Sequence, residues 1–113
     1  MPVEKSKQYF RGKEGYNCAQ AIAAGFCEHF DGCTSFIEEC KMFSGGRAKE
    51  GLCGALFAAE TIAADQDKAF RIRQKFREEV GAVSCREIKS TTKTPCISCI
   101  ETAARILKEE IIN

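Results

Sequence analysis

This 113-residue chain has few histidines, little net charge and no long apolar run. Each of these absences excludes a class of function. The single histidine, His29, stands near the end of an apolar segment, where we interpret it as a partner of the helix dipole. One histidine leaves no Ser/His/Asp or Cys/His catalytic set to assemble. The formal net charge of +1, without a long basic run, predicts no binding to nucleic acid or to an anionic membrane.

Targeting and nucleotide-binding signals are also missing. The longest weakly polar run, CAQAIAAGFC, is far shorter than the ~20 residues that a membrane-spanning helix needs. The polar N-terminal stretch MPVEKSKQYFRGK lacks the apolar core of a secretory signal, so we expect a cytoplasmic protein. The loop SGGRAKEG, residues 44–51, lacks the Walker spacing. We expect its glycines to serve a turn and a close approach of the backbone to the site.

Cysteine, by contrast, is abundant. The eight cysteines are Cys18, Cys27, Cys33, Cys40, Cys53, Cys85, Cys96 and Cys99. In a small secreted protein this number would suggest a disulfide framework. In a reducing cytoplasm it indicates metal or redox chemistry.

The periodicity predicts an all-α fold, because no segment shows the strict apolar/polar alternation of a strand. We expect a compact, single-domain bundle of about six helices over residues 1–113. Two helices, at about 18–30 and 52–64, are apolar almost all round and should lie at its centre. Gly25 costs about 1 kcal/mol relative to Ala inside a helix, which predicts the close approach of another helix there.

The other predicted helices carry local start and stop signals. A capping-box spacing joins Ser35 to Glu38, and Asp65 or Asp67 can cap a helix that Gly81 ends. That helix carries an apolar stripe formed by Ala69, Ile72, Phe76 and Val80. The remaining predicted elements are a short helix at 3–11, a helical turn after Ser84 and a last helix at about 96–112.

Four cysteines fall in the first turn of a predicted helix. Cys18 follows an Asn17 cap, with Gln20 completing the capping pattern, and Cys53 opens the second apolar helix. Cys85 follows a Ser84 cap with Glu87 three residues on, and Cys96 follows Thr94 as cap and Pro95 at the first helical position. Free N–H groups and the dipole at a helix start favour a thiolate, which is both a nucleophile and a metal ligand. Arg86 and Arg47 could add positive potential, which Glu87 would oppose.

The remaining cysteines have different surroundings. Cys27 and Cys40 lie on apolar helical faces, where packing is the expected role, and Cys33 lies in a turn as an incidental exposed thiol. Cys99 shares an apolar stripe and is also spaced to pair with Cys96 in a CxxC motif, but we expect Cys96 to pair with a cysteine of another segment if the four helix-start thiols converge. We expect Cys96 to be the functional thiol and to ionise at a lower pH than Cys99, because burial disfavours a thiolate.

The segments YNCAQAI, GGRAKEGLCGAL, SCREI and PCISCIETAARIL resemble the C-GCAxxG-C-C family of redox-active proteins over residues 16–112. The resemblance implies that Cys18, Cys53, Cys85 and Cys96 are the family cysteines. Ala58 stands where the family motif ends in glycine. Cys27, Cys33, Cys40 and Cys99 lie outside the pattern.

Three functions follow from these observations. The first is a thiol–disulfide oxidoreductase-like protein that exchanges electrons with a cellular thiol reductant or another electron-transfer partner. Its catalytic candidates are Cys18, Cys53, Cys85, Cys96 and Cys99. The second is a Zn²⁺ or iron–sulfur site with Cys18, Cys53, Cys85 and Cys96 as ligands. The third is a structural or interaction protein whose cysteines only pack. A thioredoxin site is not predicted, since no strand precedes the CxxC pair. The sequence leaves a homo-oligomer open.

Overall fold

The protein folds into an all-α bundle. The computed structural model describes residues 2–10, 12–13, 15–43 and 51–112, and within them there is no β-strand. The α-helices are α1 Pro2–Phe10, α2 Cys18–Gly25, α3 Cys33–Glu39, α4 Gly54–Ala63, α5 Gln66–Val80, α6 Cys85–Glu87 and α7 Cys96–Ile111. Two 3₁₀ helices, Cys27–His29 and Cys40–Met42, follow α2 and α3, and a π-helix, Ile88–Thr92, continues α6. The predicted fold class is confirmed.

The two apolar helices lie at the centre, as predicted. Every residue of α2 after Cys18 is buried, and α4 packs against α2, α5 and α7. Helix α7 forms a third central element, because it also contacts α1, α2 and α5. None of the described helices is long and apolar enough to cross a membrane.

Gly25 marks the predicted close approach between helices. A Cβ atom at this position would overlap the Ser6 hydroxyl of α1 and lie 2.7 Å from the Ser6 backbone nitrogen. Only glycine therefore lets α1 lie against α2 at this point. The contact also buries Ser6 completely, and its hydroxyl has no hydrogen-bond partner among the described residues.

Replacing Ser6 with alanine is expected to stabilise the protein by about 1 kcal/mol, since a buried unpaired hydroxyl is unfavourable and alanine is the better helix former. Urea unfolding measures the change. Ser35→Ala is the matched control, because Ser35 is an exposed serine within α3 and its replacement alters helix propensity alone. A loss of stability in Ser6→Ala that is absent from the control would contradict the prediction.

Two predicted boundaries are wrong. Helix α2 ends at Gly25 and not at residue 30, because Phe26 leaves the helical conformation (φ −105°, ψ 15°) while its side chain stays fully buried. Helix α3 begins at Cys33, after Gly32 in the left-handed conformation (φ 78°), so Ser35 lies inside the helix and forms no capping box. Both differences bring the chain around a tight turn between α2 and α3.

Helix α5 agrees with its sequence signals. The Asp65 side chain accepts a hydrogen bond from the Lys68 N–H at 3.1 Å, and Gly81 ends the helix in the left-handed conformation (φ 99°). Buried residues of its stripe include Ile72 and Phe76. The expected glycine-rich loop, including Arg47, lies outside the described residues except for Gly51.

Candidate functional site

A single small cavity collects cysteines from four separate chain segments. Its volume is about 170 Å³. Its lining residues are Phe10, Asn17, Cys18, Cys53, Gly54, Cys85, Ile88, Lys89, Thr94, Cys96 and Cys99. All five cysteines that the sequence selected as catalytic candidates are among them. We call this space the five-cysteine cavity.

Cys18 is placed by the start of α2. The Asn17 side chain accepts a hydrogen bond from the Gln20 N–H at 2.8 Å, and the Gln20 side chain accepts one from the Asn17 N–H at 3.1 Å. This reciprocal pair is the predicted capping box. The Asn17 amide also donates to the carbonyl of Cys40 at 3.0 Å, which fixes the start of α2 against the segment that follows α3.

Cys53 and Cys85 are brought together by backbone pairing. The Cys53 N–H donates to the Val83 carbonyl at 2.8 Å, and Leu52 forms an isolated antiparallel bridge with Ser84. Helix α4 begins at Gly54, so Cys53 is its N-cap residue and lies one position before the predicted place in the first turn. The backbone of Cys53 is therefore fixed both by the start of α4 and by its hydrogen bond to the segment before α6.

Cys85 occupies the first position of α6, as predicted. The Ser84 hydroxyl accepts a hydrogen bond from the Glu87 N–H at 3.1 Å and donates to the Glu87 carboxylate at 3.1 Å. The π-helix follows directly after α6. At its C-terminal end the Lys93 N–H donates a hydrogen bond to the Ile88 carbonyl at 2.6 Å. Such local π geometry occurs often at functional sites.

Cys96 and Cys99 belong to the first turns of α7. Pro95 is the N-cap residue, so the prediction of a Thr94 cap with Pro95 inside the helix is wrong by one position. Pro95 has an extended backbone (φ −64°, ψ 152°), which explains why the helix begins only at Cys96. Cys96 is exposed and Cys99 is buried, with 3% of its surface accessible.

Three of the cavity thiols, Cys18, Cys53 and Cys99, shift one another's pKa. Hydrogen bonding to Cys53 and burial together raise the pKa of Cys18 far above its usual range. Cys18 lowers the pKa of Cys53, but the hydrogen bond to Cys99 and burial raise it, and the net pKa is about 12.

Cys99 is the one of these thiols whose pKa is lowered. The hydrogen bond from Cys53 lowers the pKa of Cys99 despite the opposing effect of burial. Burial and the nearby Cys18 raise the pKa of Cys96, although Lys89 acts in the opposite direction. The expectation that Cys96 ionises at a lower pH than Cys99 is therefore wrong, because a hydrogen bond to the thiolate outweighs burial at Cys99.

We expect removal of the Cys53 thiol to raise the pKa of Cys99, since Cys99 would lose its hydrogen bond and remain buried. The ultraviolet absorbance of thiolate, recorded against pH for wild type and Cys53→Ala, measures the change. The curve of the variant should lose its lowest-pH step.

Cys40→Ala is the control for that experiment. Burial, followed by Glu39 and Cys18, raises the pKa of Cys40 to about 12, so its removal should leave the low-pH step in place. A low-pH step that survives in Cys53→Ala would show that Cys53 does not lower the pKa of Cys99.

The remaining cysteines behave in two ways. Cys40 is fully buried, which confirms its predicted packing role. The predictions for Cys27 and Cys33 are wrong, because these two residues form a disulfide with a Cα–Cα distance of 5.3 Å. Cys27 is the exposed member and Cys33 the buried one. The early end of α2 and the turn at Gly32 bring them together.

Lys89, Phe10 and Ile88 line the cavity without having been selected from the sequence. Lys89 stands four residues after Cys85, and this helical spacing was the available signal. Arg86, which the sequence suggested as a source of positive charge, is exposed and is not a lining residue.

The arrangement of the cavity cysteines also bears on the hypothesis of a Zn²⁺ or iron–sulfur site. Within the described part of the chain, no group of three or more His, Cys, Asp or Glu residues is arranged to hold a metal ion. The proposed ligand set of Cys18, Cys53, Cys85 and Cys96 thus lines one cavity without forming a ready-made coordination site.

The sequence profile of the family described as "Putative redox-active protein (C_GCAxxG_C_C)" matches residues 16–110. The match covers most of the chain, and the protein belongs to this family. No curated protein and no solved structure gives a significant match.

Proposed function

We propose that this protein carries out thiol–disulfide exchange, with Cys96 and Cys99 as the pair that gains and loses two electrons. The observation that supports the proposal most directly is the graded exposure of the thiols around the cavity. Cys96 is exposed, Cys18 and Cys85 are half-buried, and Cys53 and Cys99 are buried. A partner's sulfur can therefore reach Cys96 before any other cavity thiol.

The chemical step begins from an oxidised Cys96–Cys99 pair. A thiolate of an external dithiol reductant attacks Cys96 Sγ, the Cys96–Cys99 bond breaks, and Cys99 leaves as a thiolate. The second thiol of the reductant then attacks its own sulfur in the mixed disulfide and releases Cys96, which takes a proton. The protein gains two electrons, with one proton taken up at Cys96 and a second when the Cys99 thiolate is protonated, and the reductant becomes a disulfide.

Cys99 is suited to the role of leaving group. A thiol with a lower pKa leaves faster in thiol–disulfide exchange. Cys53 lowers the pKa of Cys99 and so favours the Cys99 thiolate. In the reverse direction the Cys96 thiolate attacks the disulfide of an oxidised partner and releases one of its sulfurs as a thiolate. The Cys99 thiolate then attacks Cys96 Sγ in the mixed disulfide and releases the second partner sulfur, so the partner leaves fully reduced.

The partner class follows from this chemistry. A cellular dithiol reductant supplies the electrons, and a disulfide of a protein or small molecule accepts them. A reducing cytoplasm would suit such a cycle, because it keeps the cavity thiols reduced between turnovers.

The test is an equilibrium titration of the native protein in glutathione redox buffers, followed by alkylation and peptide mass spectrometry. We expect a two-electron transition that converts Cys96 and Cys99 into a disulfide. In Cys99→Ser a mixed disulfide should persist on Cys96, since no thiolate displaces it. If the cavity cysteines do not oxidise reversibly while the protein stays folded, the proposal fails and a packing role for them is favoured.

The same preparation tests the metal alternative. An anaerobic absorption spectrum and a metal analysis are recorded on freshly purified protein. Visible bands with bound iron and sulfide, or stoichiometric zinc that blocks alkylation of the cavity thiols, would replace thiol exchange with a metal site.

A further inference from the structure

The Cys27–Cys33 disulfide lies apart from the five-cysteine cavity. Cys18 begins α2, whereas Cys27 lies just beyond its C-terminal end. A helix of this length, eight residues, rises ~12 Å along its axis. Neither Cys27 nor Cys33 lines the cavity. The disulfide and the cavity therefore stand near opposite ends of α2, and their sulfur atoms cannot exchange directly.

The two sulfur atoms of this disulfide differ in access. Cys27 is exposed in the 3₁₀ helix Cys27–His29, and Cys33, with 8% of its surface accessible, is the first residue of α3. Exchange requires in-line approach of a thiolate to one sulfur, so access decides which sulfur is attacked. An external thiolate can approach Cys27 and is kept from Cys33.

The buried sulfur of Cys33 would have a hydrogen-bond acceptor nearby in the reduced state. Cys33 Sγ lies 3.7 Å from the carbonyl oxygen of Ala23 in α2, within reach of a hydrogen bond donated by a thiol. A free thiol also packs well in a buried position, since cysteine behaves as a small hydrophobic residue. The surroundings of Cys33 thus accept both the disulfide and the reduced form.

This crosslink closes only a short loop, and other contacts also join the helices on either side of it. Six positions separate the two cysteines in sequence, and short loops give the smallest entropic stabilisation by a disulfide. The helices on either side are also joined by other contacts, including a hydrogen bond from the Gln20 amide in α2 to the Ile37 carbonyl in α3.

We propose that Cys27–Cys33 is a second redox site, reduced and re-formed by an external dithiol independently of the five-cysteine cavity, with Cys27 as the sulfur that is attacked. A thiolate of the dithiol bonds to Cys27 Sγ, the Cys27–Cys33 bond breaks, and Cys33 leaves and takes a proton. The second thiol of the dithiol then displaces Cys27 as a thiol. Two electrons and two protons pass to the protein, and the dithiol is oxidised to its disulfide.

The experiment treats the native protein with dithiothreitol, quenches samples with an alkylating reagent, and follows both cysteines by mass spectrometry and the fold by circular dichroism. We expect Cys27 and Cys33 to be reduced with the helical signal unchanged and to re-form their disulfide in oxidised glutathione. In Cys33→Ser, glutathione should remain attached to Cys27. In Cys27→Ser, Cys33 should stay unmodified.

Two double variants separate this site from the five-cysteine cavity and test whether the fold needs the disulfide. A Cys96→Ser, Cys99→Ser double variant should reduce its Cys27–Cys33 disulfide at a rate within about twofold of wild type, which separates this site from the proposed function of the cavity. The Cys27→Ala, Cys33→Ala double variant should stay folded. Reduction only after unfolding, loss of the fold in the double alanine variant, or glutathione attached preferentially to Cys33 would overturn the proposal and leave a purely structural disulfide.

Discussion

Replacing Cys96 with serine is expected to slow the reaction of the reduced cavity thiols with glutathione disulfide by roughly a hundredfold, because the exposed sulfur is lost. The thiols that remain around the cavity are buried or half-buried. Cys99 carries the favoured thiolate but has only 3% of its surface accessible. The measurement is the rate of glutathione incorporation or disulfide formation at the cavity cysteines.

Ser98→Ala is the matched control for Cys96→Ser. Ser98 lies between the two cysteines of the CxxC pair and lines a different surface pocket with Lys7 and Glu101. Its replacement should leave the rate unchanged. A Cys96→Ser variant that reacts as fast as this control would show that another cavity thiol meets the partner first.

Replacing Gly54 with alanine is expected to destabilise the protein by about 3 kcal/mol, the upper end of the usual overpacking cost. A Cβ atom at this position would lie 2.5 Å from the Phe43 carbonyl oxygen and 2.6 Å from Cys18 Sγ. Helix propensity alone would favour alanine by about 1 kcal/mol, so the sign of the effect reports the close approach. Urea unfolding measures it.

Thr61→Ala provides the comparison for Gly54→Ala in the same helix. Thr61 is exposed, and its replacement should change the stability by less than about 0.5 kcal/mol. Combining Gly54→Ala with Cys18→Ala should recover only part of the loss, because the Phe43 carbonyl still meets the new methyl group. Full stability in Gly54→Ala would contradict the close packing of α4 against Cys18.

Local signals could be recognised in the sequence because their partners lie within a few residues. The Asn17–Gln20 capping box, the Ser84 cap and the Asp65 cap each join residues three positions apart. Gly81 ends α5 through its own left-handed backbone. The apolar character of α2 and α4 likewise appears in their own residues, so their central position was predictable. These signals identified the starts of α2, α5 and α6, and two of them placed Cys18 and Cys85 at a helix start.

Other properties depend on residues far apart in the chain. Cys53 meets the segment of Cys85 through its hydrogen bond to Val83, thirty residues away. No local pattern specifies that pairing, because any exposed backbone N–H can bond to any free carbonyl. The Cys27–Cys33 disulfide required the chain to leave α2 early and turn at Gly32, against the helical periodicity.

The order in which Cys96 and Cys99 ionise shows most clearly the difference between what local sequence and what distant residues decide. The sequence by itself determined that Cys96 stands at the start of a helix and that Cys99 lies on its apolar face. Burial alone would make Cys99 the harder thiol to ionise. The tertiary structure reversed the order, because it brings Cys53, the N-cap residue of α4, and Cys99 of α7 to the same cavity, where Cys53 lowers the pKa of Cys99. The pKa of a buried group depends on the partners that folding brings to it, and these come from other parts of the chain.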